Sequence, residues 1–530
     1  MKAKIEDEIH KTFFNQFTFT LAWISSGGYR KLKDEKQYDE KQYFGIHDFF
    51  EVADEMFYEL ETQKLKRSAN ILIDKETGDW QLEKFKATEL YKSYKGKDCN
   101  ICGKGPATYP DEEINRKSLS SYPPEELKIC FNCYQDKFII GQKLPKVQYI
   151  GFSRGKISGD SIRIYDNYYV TLLEKFNKED FYLLYKIGDD ASGNNQQGII
   201  LKRYIANHVS TKEDKIETFE NIAKYSVRKE EEGKEVGSEL LGILKADLDN
   251  LGLIFSRGFE DDEKRTGKTI SRYLTLSRMI DLFFSGWMKE IMERNDKEGL
   301  ISRLGELKDK GLLKEYLERE EINLSKIYTV YSGGDDLVLV GPWETMIIFS
   351  LFLNMEFRRF TCCNDDITLS AGLTMVKPKY PIAAGIREAD ELLDRSKQAG
   401  KNRITLFDTT VEWELFPQLL DFFLFLNQKL NEETFKYGFV YKLLKYHNMA
   451  KNYFEENKIE GLKFLSALSY EIARNVIKRD KNSGKIIKGQ EEFLELQRLM
   501  NITDGKNSLI YNLKIPVFWA LYRNRKVRDE

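Results

Sequence analysis

A chain of 530 residues is too long for one hydrophobic core, so three or four domains are expected, each with enough apolar residues to bury its own. Charge is abundant but balanced, 83 Lys plus Arg against 85 Asp plus Glu, which excludes the global basic field of a free-standing nucleic-acid binder and leaves only local basic patches open. No apolar run reaches the length of a membrane span, and the opening Lys2, Lys4, Glu6, Asp7 and Glu8 are unlike a signal peptide, so a cytoplasmic protein with no membrane contact is expected.

The chain begins with a charged helix and a strand-like run, Phe17 to Ile24, followed by a helix from about Ile46 to Lys66. That helix contains His47-Asp48, a dipeptide that supplies metal ligands in some phosphohydrolases. Such a site needs further His and Asp ligands, and the chain has only four histidines, so a helix N-terminus with an acidic first turn is the preferred reading. Next come Cys99-x-x-Cys102 and Cys130-x-x-Cys133. Paired knuckles at this separation place four thiolates for a tetrahedral Zn2+, and a closed four-sulfur shell makes the site structural. Cys362 and Cys363, before a strand, read as core or near-core thiols.

Alternation at Tyr149–Phe152, Ser161–Tyr165 and Phe181–Tyr185 predicts strands that complete a first α/β unit, and the charged run Arg228–Glu235 reads as a connector. The second α/β unit is predicted as a strand (about 239–247), helices (about 267–295 and 305–318), a hairpin (326–340), a helix (about 343–360), a strand (367–376), a helix (about 381–399) and a last strand (403–408). Without its extra helix this is the βαββαβ order of a ferredoxin-like palm. Beyond about residue 411 the chain reads as a helical bundle, and Arg523, Arg525, Lys526 and Arg528 near the end could meet a phosphate backbone, with a merely solvated face the preferred reading.

Two stretches carry chemistry. Tyr328 to Val340 is a hairpin whose Ser332-Gly333-Gly334 turn ends in Asp335-Asp336, and Leu241 to Gly252 is an apolar strand ending in Asp247 and Asp249. If the strands are neighbours, Asp247, Asp335 and Asp336 form one carboxylate cluster. Anions that close repel, and hard divalent cations with a nucleotide triphosphate are the usual remedy.

KADLDNLG at Lys245 to Gly252, YSGGDD at Tyr331 to Asp336 and RSKQAGKN at Arg395 to Asn402, with the paired CxxC knuckles, resemble in order and spacing the large subunit of type III CRISPR effector complexes, the Csm (III-A) branch above all. The resemblance implies an α/β (α+β) chain of ferredoxin-like palm domains: a partial first palm at 1–90, a zinc-binding insert at 91–145, the remainder of the first palm and a linker at 146–235, the second, GGDD palm at 236–410, and a C-terminal helical domain at 411–530. It implies a nucleotidyltransferase that converts ATP to cyclic oligoadenylate when a guide-bearing complex captures target RNA. Asp247, Asp335 and Asp336, with the Leu248 carbonyl, would hold Mg2+ or Mn2+, while Ser332, Gly333, Gly334, Asn250, Lys397 and Lys401 would meet the nucleotide.

Implied partners are the other Csm subunits, guide CRISPR RNA and target RNA. The chain departs from the family's pattern at the front, where relatives carry an HD nuclease domain and the start of the first palm. The expectation is a split subunit whose missing part comes from a separate polypeptide, with no nuclease activity in this chain. Three rivals remain in view, of which a template-dependent polymerase would need a thumb and a basic template groove that the balanced charge does not advertise. A diguanylate-cyclase-like enzyme shares the palm, but its turn continues with Glu-Phe where Leu337 follows Asp336 here. An inactive zinc-stapled scaffold would leave three converging acids without purpose.

Overall fold

The computed structural model describes residues 128–158, 161–175 except 166, 181–187, 200–229 except 214, 235–259, 270–304, 310–319, 321–479 and 486–525, with positions 58, 62, 73, 77–80, 98–103 and 107. The His47-Asp48 dipeptide and the strand expected at Phe17 to Ile24 lie outside them. The chain divides into two compact units, Met1–Ile205 with Phe259–Leu276, and Ala206–Gly258 with Ser277–Glu530.

In the first unit, β1 (Tyr149–Arg154), β2 (Ile162–Tyr165), β3 (Tyr168–Leu173), β4 (Leu183–Ile187) and β5 (Ile200–Arg203) form one sheet in the order β2-β3-β1-β4-β5. Only the β4–β5 pair is parallel. Alternation in the sequence marks β1, β2 and β4, whereas β3 (YYVTLL) and β5 (ILKR) lack that pattern.

The second unit is built on β6 (Leu241–Leu248), β7 (Tyr328–Gly333), β8 (Asp336–Pro342), β9 (Leu369–Val376), β10 (Arg403–Leu406) and β11 (Thr409–Glu412), in the order β7-β8-β6-β9-β10-β11. Three antiparallel pairings put β6 between β8 and β9 and β7 on the edge, the strand order of a ferredoxin-like palm. The same unit contains the helices α1 (Phe219–Lys224), α2 (Leu251–Arg257), α3 (Trp343–Phe360) and α4 (Ile382–Gln398).

Period-two alternation divides β6 between two layers. Leu241 and Ile243 join Val338, Val340, Val376 and the α4 residue Ala389 in one core, together with Ile222 and Ala223 of α1. The intervening Gly242 faces α3, so closely that a Cβ there would lie 2.8 Å from the Met346 side chain. On β9, a Cβ at Gly372 would lie 2.3 Å from the Ala389 carbonyl oxygen and 2.4 Å from the Leu393 nitrogen, so α4 rests directly on the strand's main chain. α1 buries its apolar side on this sheet, within the unit that begins at Ala206.

The last predicted strand, 403–408, is instead a hairpin. Phe407 and Asp408 both take positive φ (48° and 58°), the left-handed pair of a two-residue turn, and β11 continues to Glu412 before the helices begin at Phe416.

The C-terminal helices α5 (Phe416–Asn431), α6 (Tyr437–Glu456), α7 (Lys463–Asn475) and α8 (Lys514–Arg523) pack in the same unit. Arg523 is not on a solvated face: it is 2% exposed and ion-paired with Glu344 of α3, itself 3% exposed. Glu344 also accepts hydrogen bonds from Tyr316 (2.6 Å) and Trp519 (3.2 Å), and Trp519 stacks on Phe423 with ring centroids 4.0 Å apart. A helix read from charge alone as solvated is thus bolted to the palm by its one buried cation, a contact 179 residues apart in sequence and invisible to local pattern. Cys362 and Cys363 are corrected too: both are exposed, in a turn after α3 with φ of 54° and 59°.

His208 buries its ring beside the edge strand, its Nε2 3.2 Å from the Ser325 carbonyl, while its own carbonyl accepts from Thr329 N of β7 (2.9 Å). Burial holds its pKa down to about 4, the Ser325 contact opposing and Lys289 assisting. The folded state therefore binds this proton less readily than the unfolded chain does. Stability present above pH 6.5 should be lost as pH falls towards 4. The urea midpoint should drop over that window, and less steeply in His208→Gln.

Candidate active site and metal centre

The acids come together through strand register. Asp247, near the end of β6, pairs directly with Asp336 at the start of β8, so both side chains leave the same face of the sheet, the face that carries α4. Asp335 sits in the turn, its carbonyl accepting from Leu248 N at 3.0 Å, which ties the hairpin tip to the end of β6. Gly334 has φ +67°, and a Cβ there would meet nothing within 4 Å, so the tip is open on that side. Ser332 Oγ donates to the Phe284 carbonyl (2.7 Å), fixing the approach to the turn.

The carboxyls at this tip are electrostatically strained. Burial pushes the Asp247 carboxyl up, Asp335 and Asp336 add to the rise, and Lys397 opposes it. Asp336 is pushed up by burial and by Asp335, against a hydrogen bond from Tyr331 and the charge of Lys245. The three acids nevertheless stop short of a common point. Among the described residues the cysteine quartet is the His/Cys/Asp/Glu group whose ligand atoms close to within 4.8 Å of one another. Lys397 engages Asp247, and Tyr331 hydrogen-bonds Asp336.

Two lysines reach the site from the α4–β10 junction. Lys397 forms an ion pair with Asp247, and Lys401 donates to Asn250 Oδ1. Asn250 precedes α2 with φ 60°. Gly400, Lys401 and Asn402 all have positive φ (124°, 65° and 50°), a turn that would not hold itself. Asp249 holds it: 1% exposed, it accepts from Asn402 N (3.0 Å), Thr368 Oγ1 (2.8 Å) and Ser370 Oγ (2.7 Å). Sequence reasoning placed Asp249 beside the site but gave it no task. The hydroxyls Thr368 and Ser370, two apart at the start of β9, were the available signal.

In the first unit, the two knuckles converge. All four cysteine sulfurs lie within 4.8 Å of one another, with Cys102 and Cys130 Sγ 3.8 Å apart. Asn100 N donates to the Lys128 carbonyl (3.0 Å), joining the knuckles. Gly103 N and Tyr134 N donate to the Cys99 and Cys130 carbonyls (2.9 and 3.0 Å), completing the turns. Burial raises the Cys99 thiol, but backbone N–H groups of Cys102, Cys130 and Ile101 outweigh it and bring its pKa down to about 6. Cys133 is pushed up by burial and by the neighbouring sulfurs, and Cys130 is pushed up by burial, with Cys133 opposing and Cys102 and Cys99 assisting. Four soft donors in so small a volume form a cluster that could bind a metal ion.

A family model described as Cas10/Cmr2, second palm domain, matches residues 240–405. The chain is similar to the CRISPR system single-strand-specific deoxyribonuclease Cas10/Csm1 (subtype III-A) of Methanocaldococcus jannaschii, 32% identical over 38% of this chain and 24% of the relative. The protein of the same description from Thermococcus onnurineus is 24% identical over 76% of this chain and 44% of its own length. The matches to these curated relatives thus span less than half of each relative. A solved Csm1–Csm4 cassette in complex with one ATP matches 99% of this chain and 59% of its own with a TM-score of 0.61 at 18% identity, a likeness of fold. Residues 240–405 thus match the second palm domain of Cas10/Cmr2, and the chain is similar in sequence to Cas10/Csm1 proteins of subtype III-A CRISPR systems.

Proposed function

We propose that this chain is the large-subunit polypeptide of a cytoplasmic type III-A RNA-guided effector complex, and that its palm joins ATP molecules into cyclic oligoadenylate when target RNA is bound. The observation that carries this is the direct pairing of Asp247 with Asp336 across β6 and β8, with Asp335 fastened beside them and an open glycine turn at the tip. Among the solved structures of similar fold are Csm1–Csm4 cassettes in complex with ATP and with cA4, which supports the substrate and product classes.

In this reading Asp247, Asp335, Asp336 and the Leu248 carbonyl hold Mg2+ or Mn2+. When bound, the cations supply Lewis-acid polarisation of the attacked α-phosphate and lower the pKa of the ribose 3′-hydroxyl. The residue types fit: hard carboxylates, half-buried and mutually repelling, are what a hard dication relieves. The chain's own groups orient the substrate. Gly333 and Gly334 let phosphate oxygens approach the main chain, and Lys397 and Lys401 meet the triphosphate from α4 and its terminal turn, with Asn250 opposite. Partners are the other Csm subunits, guide RNA and target RNA. The test is the reconstituted complex with ATP, Mg2+ and guide-complementary RNA, its products read by mass spectrometry. Cyclic oligoadenylate only in the presence of target RNA is expected. Cyclic dinucleotide from GTP would instead support the diguanylate-cyclase rival.

The cysteine quartet is assigned to structural Zn2+. Cys99→Ser or Cys130→Ser should release about one zinc per chain, read by elemental analysis. Either change should lower the melting temperature without altering the intrinsic rate at the palm, because the sulfurs belong to the other compact unit.

A further inference from the structure

The cation nearest the acids is already engaged. Lys397 is ion-paired with the same Asp247 carboxylate that the proposed function gives to a dication, and Lys401, in the turn after α4, is held on Asn250. The main chain beneath both lysines is fixed. Ser396 Oγ donates to the Ala371 carbonyl (2.7 Å), anchoring α4 to β9, and Asp249 clamps Asn402 N. Movement is therefore left to the lysine stems, four flexible carbons each. An ammonium and a dication compete for one carboxylate, while a triphosphate offers the ammonium a more strongly charged partner.

We propose that Lys397 is a placeholder counter-ion, handed from Asp247 to the incoming triphosphate, so that nucleotide and divalent cation load the palm cooperatively; this rests on the palm being a nucleotide site. Before loading, the ammonium offsets part of the cost of burying Asp247 beside Asp336. A cation arriving alone must displace it and leave it without a partner. A triphosphate lying over the turn takes up the ammonium and frees the Asp247 oxygens. By linkage, the factor by which nucleotide tightens cation binding equals the factor by which the cation tightens nucleotide binding. Lys397 is thus a positioning residue whose removal changes the two ligands in opposite directions: easier entry for the cation, poorer retention of the nucleotide.

The test is titration of the full chain with Mn2+, followed by electron paramagnetic resonance of the free ion, with and without a non-hydrolysable ATP analogue. The soft cysteine quartet is a poor competitor for Mn2+. The unaltered protein should bind Mn2+ weakly alone and roughly tenfold more tightly with the analogue. Lys397→Met should bind Mn2+ alone several-fold more tightly than the unaltered protein, lose most of the tightening by the analogue, and bind the analogue less well. Lys397→Arg should restore the coupling, and Lys397→Gln serves if the Met variant does not fold. Unchanged or weaker binding of Mn2+ alone in the Met or Gln variant overturns the proposal. Asp335→Asn with Asp336→Asn provides the separation. If Mn2+ binding survives it, the cation lies elsewhere and the palm reading falls together with this one. If it is lost and the Lys397→Met and Lys397→Gln variants still behave as the unaltered protein, only the lysine exchange falls.

Discussion

Replacement of Asp335 and Asp336 together by Asn should reduce oligoadenylate synthesis by roughly 10³-fold or more, because charge building on the attacked phosphate loses its stabilisation. The fold should survive, and thermal stability at neutral pH should rise. Burial and Asp335 raise Asp336 above the usual carboxylate range, so its ionised form costs stability above the unfolded pKa. In the unaltered protein that cost is relieved as pH falls through the raised value; in the Asn variant it is gone at every pH. A gain in melting temperature with loss of product marks a site selected for chemistry. Loss of both together would make the hairpin tip a structural turn, and the proposed reaction would then have no seat in this palm.

Arg523→Met should be the most damaging single change in the palm unit, at about 3–5 kcal/mol, the usual result of removing one member of a buried ion pair. The change strands Glu344, 3% exposed, in the core with only the Tyr316 hydroxyl and the Trp519 indole as donors. Glu344→Gln combined with Arg523→Met should recover part of the loss, since no unpaired charge then remains. Chemical denaturation of the unaltered protein and the two variants measures this, and a loss under about 1 kcal/mol for the single change would mean that solvent reaches the pair.

The palm was legible in the sequence because its strands are short, strongly apolar and ended by motif residues. The order β6, β7, β8, β9 follows from the runs around Asp247, Gly333 and Leu369, and register then does the rest by placing Asp247 opposite Asp336. Three features were not legible, for separate physical reasons. The Phe407-Asp408 turn uses two non-glycine residues at positive φ, and no dipeptide signal of the Asn-Gly kind announces it. Arg523 is charged and near the end, and only its long-range partner makes it a core residue. Cys362 and Cys363 are apolar by type but sit in an exposed turn imposed by the end of α3. At the site, residue identity pointed to the acids and lysines, whereas the task of Asp249 depends on three donors that local pattern cannot bring together.

The gap at Gly372 sets a gauge for the whole site. Asp247 and Asp336 ride on strands and Lys397 on a helix, and the spacing between these carriers is fixed where main chain touches main chain, at Ala389 and Leu393. Any side chain at 372, even a methyl group, would act as a wedge, lifting α4 and carrying Lys397 away from Asp247 without altering a single group that meets substrate. Catalytic competence would then fail through a shim inserted between two intact parts.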